Sequence, residues 1–240
     1  MKEERFFYVP EAPVTQQLPV EEARHAVKVL RLVPGSMVYI MDGKGSFYEA
    51  ELTVVDNHHC FFEIKKTLPQ QRTWQGKIHL AIAPTKMMER MEWMSEKITE
   101  IGIDELSFLN CSFSERHVLR TDRVERIVTA AVKQSRKAWM PKVNGICEFA
   151  DFINQPRSGH KFIAHCYDEI PRADLFDSLS KLPADDDTTI LVGPEGDFSV
   201  NEVQMAIQQG YQPVSLGSSR LRTETAGMVA VTMAQLLKRK

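Results

Sequence analysis

Two textures of apolar and polar positions divide the chain. Residues 1 to about 70 read as β-rich. The run Met37–Met41 ends at Asp42-Gly43, a strong hairpin signal. Phe47 to Val55 follows as a second strand, with Phe47, Glu49, Glu51 and Thr53 on one side. Asp56-Asn57 marks the next turn, and Cys60 to Ile64 a third strand. One helix is expected before them, from about Val20 to Leu32, stopped by Pro34-Gly35.

From about Lys77 the pattern changes to strands alternating with helices. Ile78–Ala83, Leu106–Leu109, Phe162–Cys166, Thr188–Val192 and Val214–Leu216 read as short strands. Met87, Met88, Met91, Met94, Ile98 and Ile101 recur at helical spacing, and Gly102 stops that helix. The methionines are read as core filler. A second helical face runs through Val124, Ile127, Val128, Ala131, Ser135 and Ala138 to Pro141, and a third helix spans Asp174 to Leu182. Ser199-Val-Asn-Glu202 is a capping box that opens a helix closed by Gly210, and Thr223 to Lys240 forms a long last helix. Alternation of this kind implies a mostly parallel sheet covered on both faces. The linker between the two textures is placed at Pro69–Gly76, giving domains 1–72 and 73–240.

Composition narrows the class. The 240 residues are 43% hydrophobic and 26% charged, which excludes a disordered chain, a fibre and a disulfide scaffold. The formal net charge of −2 means that any basic surface must be a local patch. No apolar run approaches the roughly 18–20 residues of a membrane helix. No apolar segment of a secretory signal is seen in MKEERFFYVPEAP. Four dispersed cysteines without a CxxC fit a reduced, cytoplasmic chain. His58-His59 lacks partners at metal-ligand spacing, so no metal is expected. No P-loop, dinucleotide fingerprint or nucleophile elbow is present.

Two loops stand out instead. Gly193-Pro-Glu-Gly-Asp-Phe198 follows one predicted strand, and Gly217-Ser-Ser-Arg-Leu-Arg222 follows another. In open α/β sheets ligands bind outside the carboxyl ends of strands, and glycine allows close backbone approach. Glu195 and Asp197 would repel a phosphate and suit a neutral or cationic ligand. A basic stripe, Arg24, Lys28 and Arg31 at i, i+4 and i+7, faces away from Ala23, Val27 and Leu30. With Arg5 and with Arg116, Arg120, Arg123, Arg126, Lys133, Arg136, Lys137 and Lys142 further on, it offers a local RNA surface.

Leu191-Val-Gly-Pro-Glu-Gly-Asp-Phe-Ser199 followed by Leu216-Gly-Ser-Ser-Arg-Leu-Arg-Thr-Glu-Thr-Ala226 resembles the paired signature of the bacterial 16S rRNA uridine-N3 methyltransferase family, of the SPOUT class. Arg5-Phe-Phe, His25 to Arg31, Glu96 to Gly102, Ser114-Glu-Arg116 and Gln134-Ser-Arg136 with Pro141 agree in order, so the likeness covers essentially the whole chain. The resemblance implies an α/β, SPOUT-type parallel sheet with a C-terminal trefoil knot, and a small N-terminal PUA-like β-barrel domain that binds RNA. It implies S-adenosyl-L-methionine (SAM) as cofactor and a homodimer with both cofactor sites at its interface. Leu191, Val192, Gly193, Pro194, Glu195, Gly196, Leu216, Gly217, Ser219 and Leu221 are the implied cofactor residues. Arg222 and Glu224 are the candidate catalytic pair: a cation for charge developing on uracil oxygens and a base for the N3 proton. Arg5, Arg24, Lys28, Arg31, Arg116 and Arg136 are the candidate RNA contacts. The chain departs from the family at Asp197, where a second glycine is usual, and at Ser219-Arg220, where the arginine stands one place later. Two other readings stand beside this one: a phosphate-ligand α/β enzyme using the same loops, and a non-catalytic RNA-binding protein.

Overall fold

The computed structural model describes residues 4–239 and divides into two compact units. The first runs through Arg72 and includes Thr129–Met140; the second comprises Thr73–Val128 and Pro141–Lys240.

The first unit holds strands β1 (Phe6–Tyr8), β2 (Met37–Met41), β3 (Ser46–Val55) and β4 (Cys60–Pro69), paired in that order, with helices α1 (Ala12–Thr15) and α2 (Val20–Lys28). β2, β3 and β4 form an antiparallel meander, and β1 joins β2 in parallel. The hairpin turn is built by Asp42, whose Oδ1 accepts from the backbone N–H groups of Lys44 (2.7 Å) and Ser46 (3.0 Å). The named strands pair in the order β1-β2-β3-β4. The stretch Gln16–Leu18 lies along β4 through bonds to Cys60 and Phe62. Phe7, Val38, Ile40, Tyr48, Ala50, Leu52 and Phe62 turn inward against Ala23 and Ala26 of α2.

Helix α2 ends earlier than its sequence suggests. Arg31 takes a left-handed backbone (φ 51°), the N–H of Leu32 bonds back to the Ala26 carbonyl, and Leu32 is buried. This closure comes before Pro34-Gly35 and puts Arg31 outside the helix. Arg136 (φ 52°) does the same after helix α4 (Thr121–Gln134), so the expected face through Ser135 and Ala138 is cut short.

The second unit is a seven-stranded, wholly parallel sheet. In chain order its strands are β5 (Ile78–Ile82), β6 (Glu105–Asn110), β7 (Lys142–Glu148), β8 (His160–Ala164), β9 (Ala173–Asp174), β10 (Thr188–Val192) and β11 (Gln212–Ser215). In space the order is β7-β6-β5-β10-β8-β11-β9. Every residue of β5 and β10 is buried, as expected for central strands covered on both faces. Helices α3 (Met88–Ile101), α6 (Leu175–Leu179) and α8 (Thr223–Lys238) group together, with α8 against β5 and β10; α5 (Phe149–Asn154) meets α7 (Val200–Gln208). Gly227 lets α8 approach closely, since a Cβ there would come within 2.9 Å of Ile82 Cδ1 and 2.8 Å of Met94 Sδ. Of the four methionines read as core, Met91 and Met94 are buried, while Met87 is exposed and Met88 half-buried at the start of α3, where the helix face turns to solvent. The capping box of α7 forms as its sequence implies, with Ser199 and Glu202 exchanging hydrogen bonds. β1, α1, β7, α5 and β9 have no counterpart in the sequence reading; each is short or lies at an edge.

Candidate active site

The strand order decides where a ligand can sit. β8, β10 and β11 lie close together in one parallel array, with Val192 and Val214 both opposite Ala164. Their carboxyl ends therefore release three loops into one place. A cavity of about 410 Å³ opens there, within the usual range for small-molecule sites.

Its walls come from those three loops, from the start of α8, and from Arg90 on α3. Of the sequence-derived cofactor set, Val192, Gly193, Pro194, Glu195, Gly196, Leu216, Gly217, Ser219 and Leu221 line the cavity. Leu191 is fully buried in the core beside Ala81 and Ile163. Arg222 and Glu224 also line it. The sequence reading passed over the walls given by Ala164, His165, Cys166, Arg172 and Arg90. No local motif marks them; the position of β8 between β10 and β11 brings in Ala164, His165, Cys166 and Arg172, and α3 brings in Arg90.

The loops are braced by side chains. Gly193 has no room for a Cβ, which would fall 2.9 Å from the Phe198 nitrogen. Gly217 has φ 109°, a backbone that glycine favours, and the space beyond it is open. Asp197 also has positive φ (70°). Its Oδ1 accepts from the Phe198 N–H and its Oδ2 from the Cys166 N–H, both at 2.7 Å. Aspartate tolerates this region because its short side chain can bond locally, which accounts for a carboxylate at a position where the resemblance led one to expect glycine. Glu195 Oε1 accepts from the Lys86 N–H (2.9 Å), and Arg116 donates to the carbonyls of Thr85 (3.2 Å) and Lys86 (2.6 Å).

Two buried polar atoms in the wall residues have no partner among the described residues. One is Glu224 Oε2; the Oε1 of the same carboxylate lies 3.7 Å from Arg90 NH1. The other is His165 Nε2. The His165 Nδ1 accepts from the Tyr167 N–H at 3.2 Å, so Nε2 carries the proton of the neutral ring. Burial holds the His165 pKa below the usual imidazole range. Burial also pushes the Cys166 thiol up, so it is not a thiolate nucleophile.

The candidate RNA residues fall into two groups. Arg24, Lys28 and Arg31 are exposed and form no ion pair or hydrogen bond among the described residues. Arg5 donates to the Leu30 carbonyl at the end of α2, Arg116 holds the loop after β5, and Arg136 pairs with Glu4 (2.7 Å) and lies over the Phe6 ring. No group of three metal-binding side chains and no membrane-length apolar helix occurs among the described residues.

A parallel α/β sheet with a cavity built from glycine loops at neighbouring strand ends, preceded in the chain by a small β unit, defines a two-part ligand-binding α/β protein. Residues 72–235 match the family model of the RNA methyltransferase domain, and residues 18–65 match that of the RNA methyltransferase PUA domain. The chain belongs to this RNA methyltransferase family. It is 31% identical to ribosomal RNA small subunit methyltransferase E of Synechocystis over 95% of this chain and 74% of that protein. Among solved structures it is similar to a probable rRNA-methyltransferase from Porphyromonas gingivalis (40% identity, TM-score 0.89, 98% of each chain covered). It is also similar to ribosomal RNA small subunit methyltransferase E from Neisseria gonorrhoeae bound to S-adenosyl methionine (28% identity, TM-score 0.80, 98% of each chain covered).

Proposed function

We propose that this protein transfers a methyl group from SAM to N3 of a uridine in small-subunit (16S) ribosomal RNA. The observation that carries the reading is the strand-end cavity with its two unpartnered buried polar atoms, in a chain of the RNA methyltransferase family. The Neisseria relative, solved with SAM, supports the choice of cofactor.

The walls suit that ligand. Val192, Pro194, Leu216 and Leu221 give an apolar surface for a purine, and Gly193, Gly196, Gly217 and Ser219 offer backbone groups at close range. Leu191 supports the loop from the core below. Glu195 lines the same cavity, and a carboxylate there would suit a cationic sulfonium better than a phosphate. Bound SAM supplies an electrophilic methyl group.

The protein's own task is the proton and the charge. Uridine N3 becomes nucleophilic as its proton leaves. Glu224 accepts that proton on the oxygen that has no partner in the free protein, and Arg90 supplies the countercharge on the other side of the carboxylate. Arg222, exposed at the cavity mouth, stabilises the negative charge that spreads onto the uracil oxygens. N3 lies on the Watson–Crick edge, so the base enters unpaired or flipped out. Arg24, Lys28 and Arg31 hold the phosphate backbone, with Arg5, Arg116 and Arg136 shaping the surfaces around it.

The same reading makes residues 1–72 a PUA-like RNA-binding domain and 73–240 the SPOUT catalytic domain, working in the cytoplasm as a homodimer without a metal. It threads the C-terminal part as a trefoil knot; the insertion of β10 between β5 and β8, which precede it in the chain, supports that threading. Equilibrium dialysis with labelled SAM and with ATP tests the cofactor: SAM binds and ATP does not. Mass mapping of nucleosides in 16S rRNA, from cells with and without the gene, tests the product. Loss of one N3-methyluridine is expected, and an unchanged methylation map overturns the proposal.

A further inference from the structure

Phe113 is a large aromatic ring held out in solvent beside the cavity. It stands in the loop after β6, and 51% of its surface is exposed. A Cβ placed on Gly196 would lie 3.2 Å from its Cβ, so the base of the ring rests on a residue of the cavity wall.

The loop that carries it is not slack. The Cys111 N–H donates to Ser114 Oγ (3.0 Å), and the Ser112 N–H donates to Glu202 Oε1 (2.8 Å). Ser199 Oγ donates to Ser112 Oγ (3.3 Å), and Arg116 ties the loop to the carbonyls of Thr85 and Lys86. Lys86 is in turn bonded to Glu195. Three strand-end loops thus form one frame, and the frame presents a phenyl face to water. A single exposed ring is ordinary on a protein surface; what sets Phe113 apart is that its framed loop holds it against Gly196 of the cavity wall.

The surroundings select the partner. In the same loop Ser112, Glu115 and His117 are exposed and polar, and Val118 is an exposed apolar residue five places on. Residues 112–126 carry Arg116, Arg120, Arg123 and Arg126 against Glu115, Asp122 and Glu125. Arg120 and Arg126 pair with Asp122, Arg123 pairs with Glu92 and Arg116 holds the carbonyls of Thr85 and Lys86, so the local charge is balanced and the ring itself is the recognition element; a flat aromatic face beside a cavity that takes a uridine fits a nucleobase. We propose that Phe113 is a stacking platform for an unpaired base of the substrate RNA, adjacent to the uridine that enters the cavity; this rests on the methyltransferase reading above.

The test uses Phe113→Ala, Phe113→Leu and Phe113→Trp in the full chain, with 16S rRNA as probe. Base–aromatic stacking predicts that Phe113→Ala and Phe113→Leu raise KM for RNA about 10-fold or more, with kcat and SAM affinity near wild type, and that Phe113→Trp restores KM. The Phe113→Trp variant should also show fluorescence quenching by RNA beyond that of the three native tryptophans. A Phe113→Leu variant with wild-type KM overturns the proposal, because apolar bulk would then suffice. A Phe113→Ala variant whose sedimentation changes while its RNA affinity does not also overturns it, by making the face a contact between copies. If the wild type neither binds SAM nor methylates RNA, the methyltransferase reading fails, yet quenching in the Phe113→Trp variant still reports whether a base stacks there.

Discussion

Asp197 Oδ2 accepts a hydrogen bond from the backbone N–H of Cys166 at 2.7 Å, joining the loop after β10 to the end of β8. The bond crosses the rim of the cavity, so it fixes two of the three strand ends relative to each other. Asp197 holds a left-handed backbone to make it. Asp197→Ala keeps the strain and removes both bonds; it should destabilise the chain by about 1–3 kcal/mol and weaken SAM binding. Asp197→Gly relieves the strain and loses only the anchor, so its stability should lie between Ala and wild type. Asp197→Asn tolerates this backbone and keeps one acceptor but turns its NH2 toward the other backbone N–H, so its stability should also fall between Ala and wild type. Denaturant midpoints and calorimetry with SAM check the order, and an Ala variant as stable as wild type breaks the argument.

The part of this site visible in the sequence is the part made by local rules. Thr188–Val192 is a continuous apolar run and is β10 with the same ends. Ser199 and Glu202 predict their own capping box. Gly193 marks a close backbone approach, and Gly217 a backbone with positive φ. The unread part depends on which strands are neighbours. His165 and Arg172 line the cavity only because β8 lies between β10 and β11. Arg31 and Arg136 end their helices in a left-handed turn without glycine, so the usual stop signal is missing. β1 is three residues long and pairs in parallel across a helix-containing connection, too short for any period to register.

A buried histidine gives the fold a pH dependence away from the cavity. His79 on β5 bonds Ser107 Oγ through Nε2 (2.8 Å) and accepts from Arg157 through Nδ1 (3.1 Å). Burial pushes its pKa down to about 4, with Glu105 pulling the other way and Arg157 and Lys142 adding to the fall. Below about pH 6.5 the unfolded chain binds a proton that the folded chain refuses. Stability is therefore full above about pH 6.5 and falls as the pH drops toward 4, by up to about 3 kcal/mol. Urea titrations at about pH 7 and pH 5, on either side of the ordinary imidazole range, measure this. His79→Gln should be less stable at the higher pH and lose less between the two values. A variant with the wild-type slope would assign the pH dependence to other groups.

The basic surface can be tested by its salt response. Arg24 and Lys28 lie on α2 and Arg31 just past its end, all exposed and all without an internal partner among the described residues. Replacing the three with Ala should leave the fold and SAM affinity intact. It should weaken RNA binding and reduce the slope of log K against log salt by about 0.7–0.9 for each phosphate no longer neutralised. Arg5→Ala should behave differently, because its guanidinium bonds the Leu30 carbonyl at the end of α2; it should lower stability as well as affinity. An unchanged salt slope in the triple variant would leave the stripe as a solvated surface.

Assembly is the remaining test. Helix α8 buries Gly227, Ala230, Val231 and Ala234 against its own unit. Another stripe, Val229, Met233 and Leu236 at i, i+4 and i+7, is apolar but only partly covered, and Leu236 is 46% exposed. Trp93, on the adjoining α3, is 44% exposed. A helix apolar on two faces is usually buried on both, and the simplest cover is the same surface of a second copy about a two-fold axis. The start of this helix supplies Thr223, Glu224 and Ala226 to the cavity, so an interface along α8 would fix the cavity wall as well. Met233→Asp would place a charge in that interface, where an unpaired buried carboxylate costs several kcal/mol. The variant should sediment as a monomer, keep its circular dichroism, and lose methyl transfer. Leu236→Asp, which is more exposed and so less able to disturb the unit's own packing, should give the same result. A wild-type protein that sediments as a monomer while remaining fully active would remove the two-fold interface from the account.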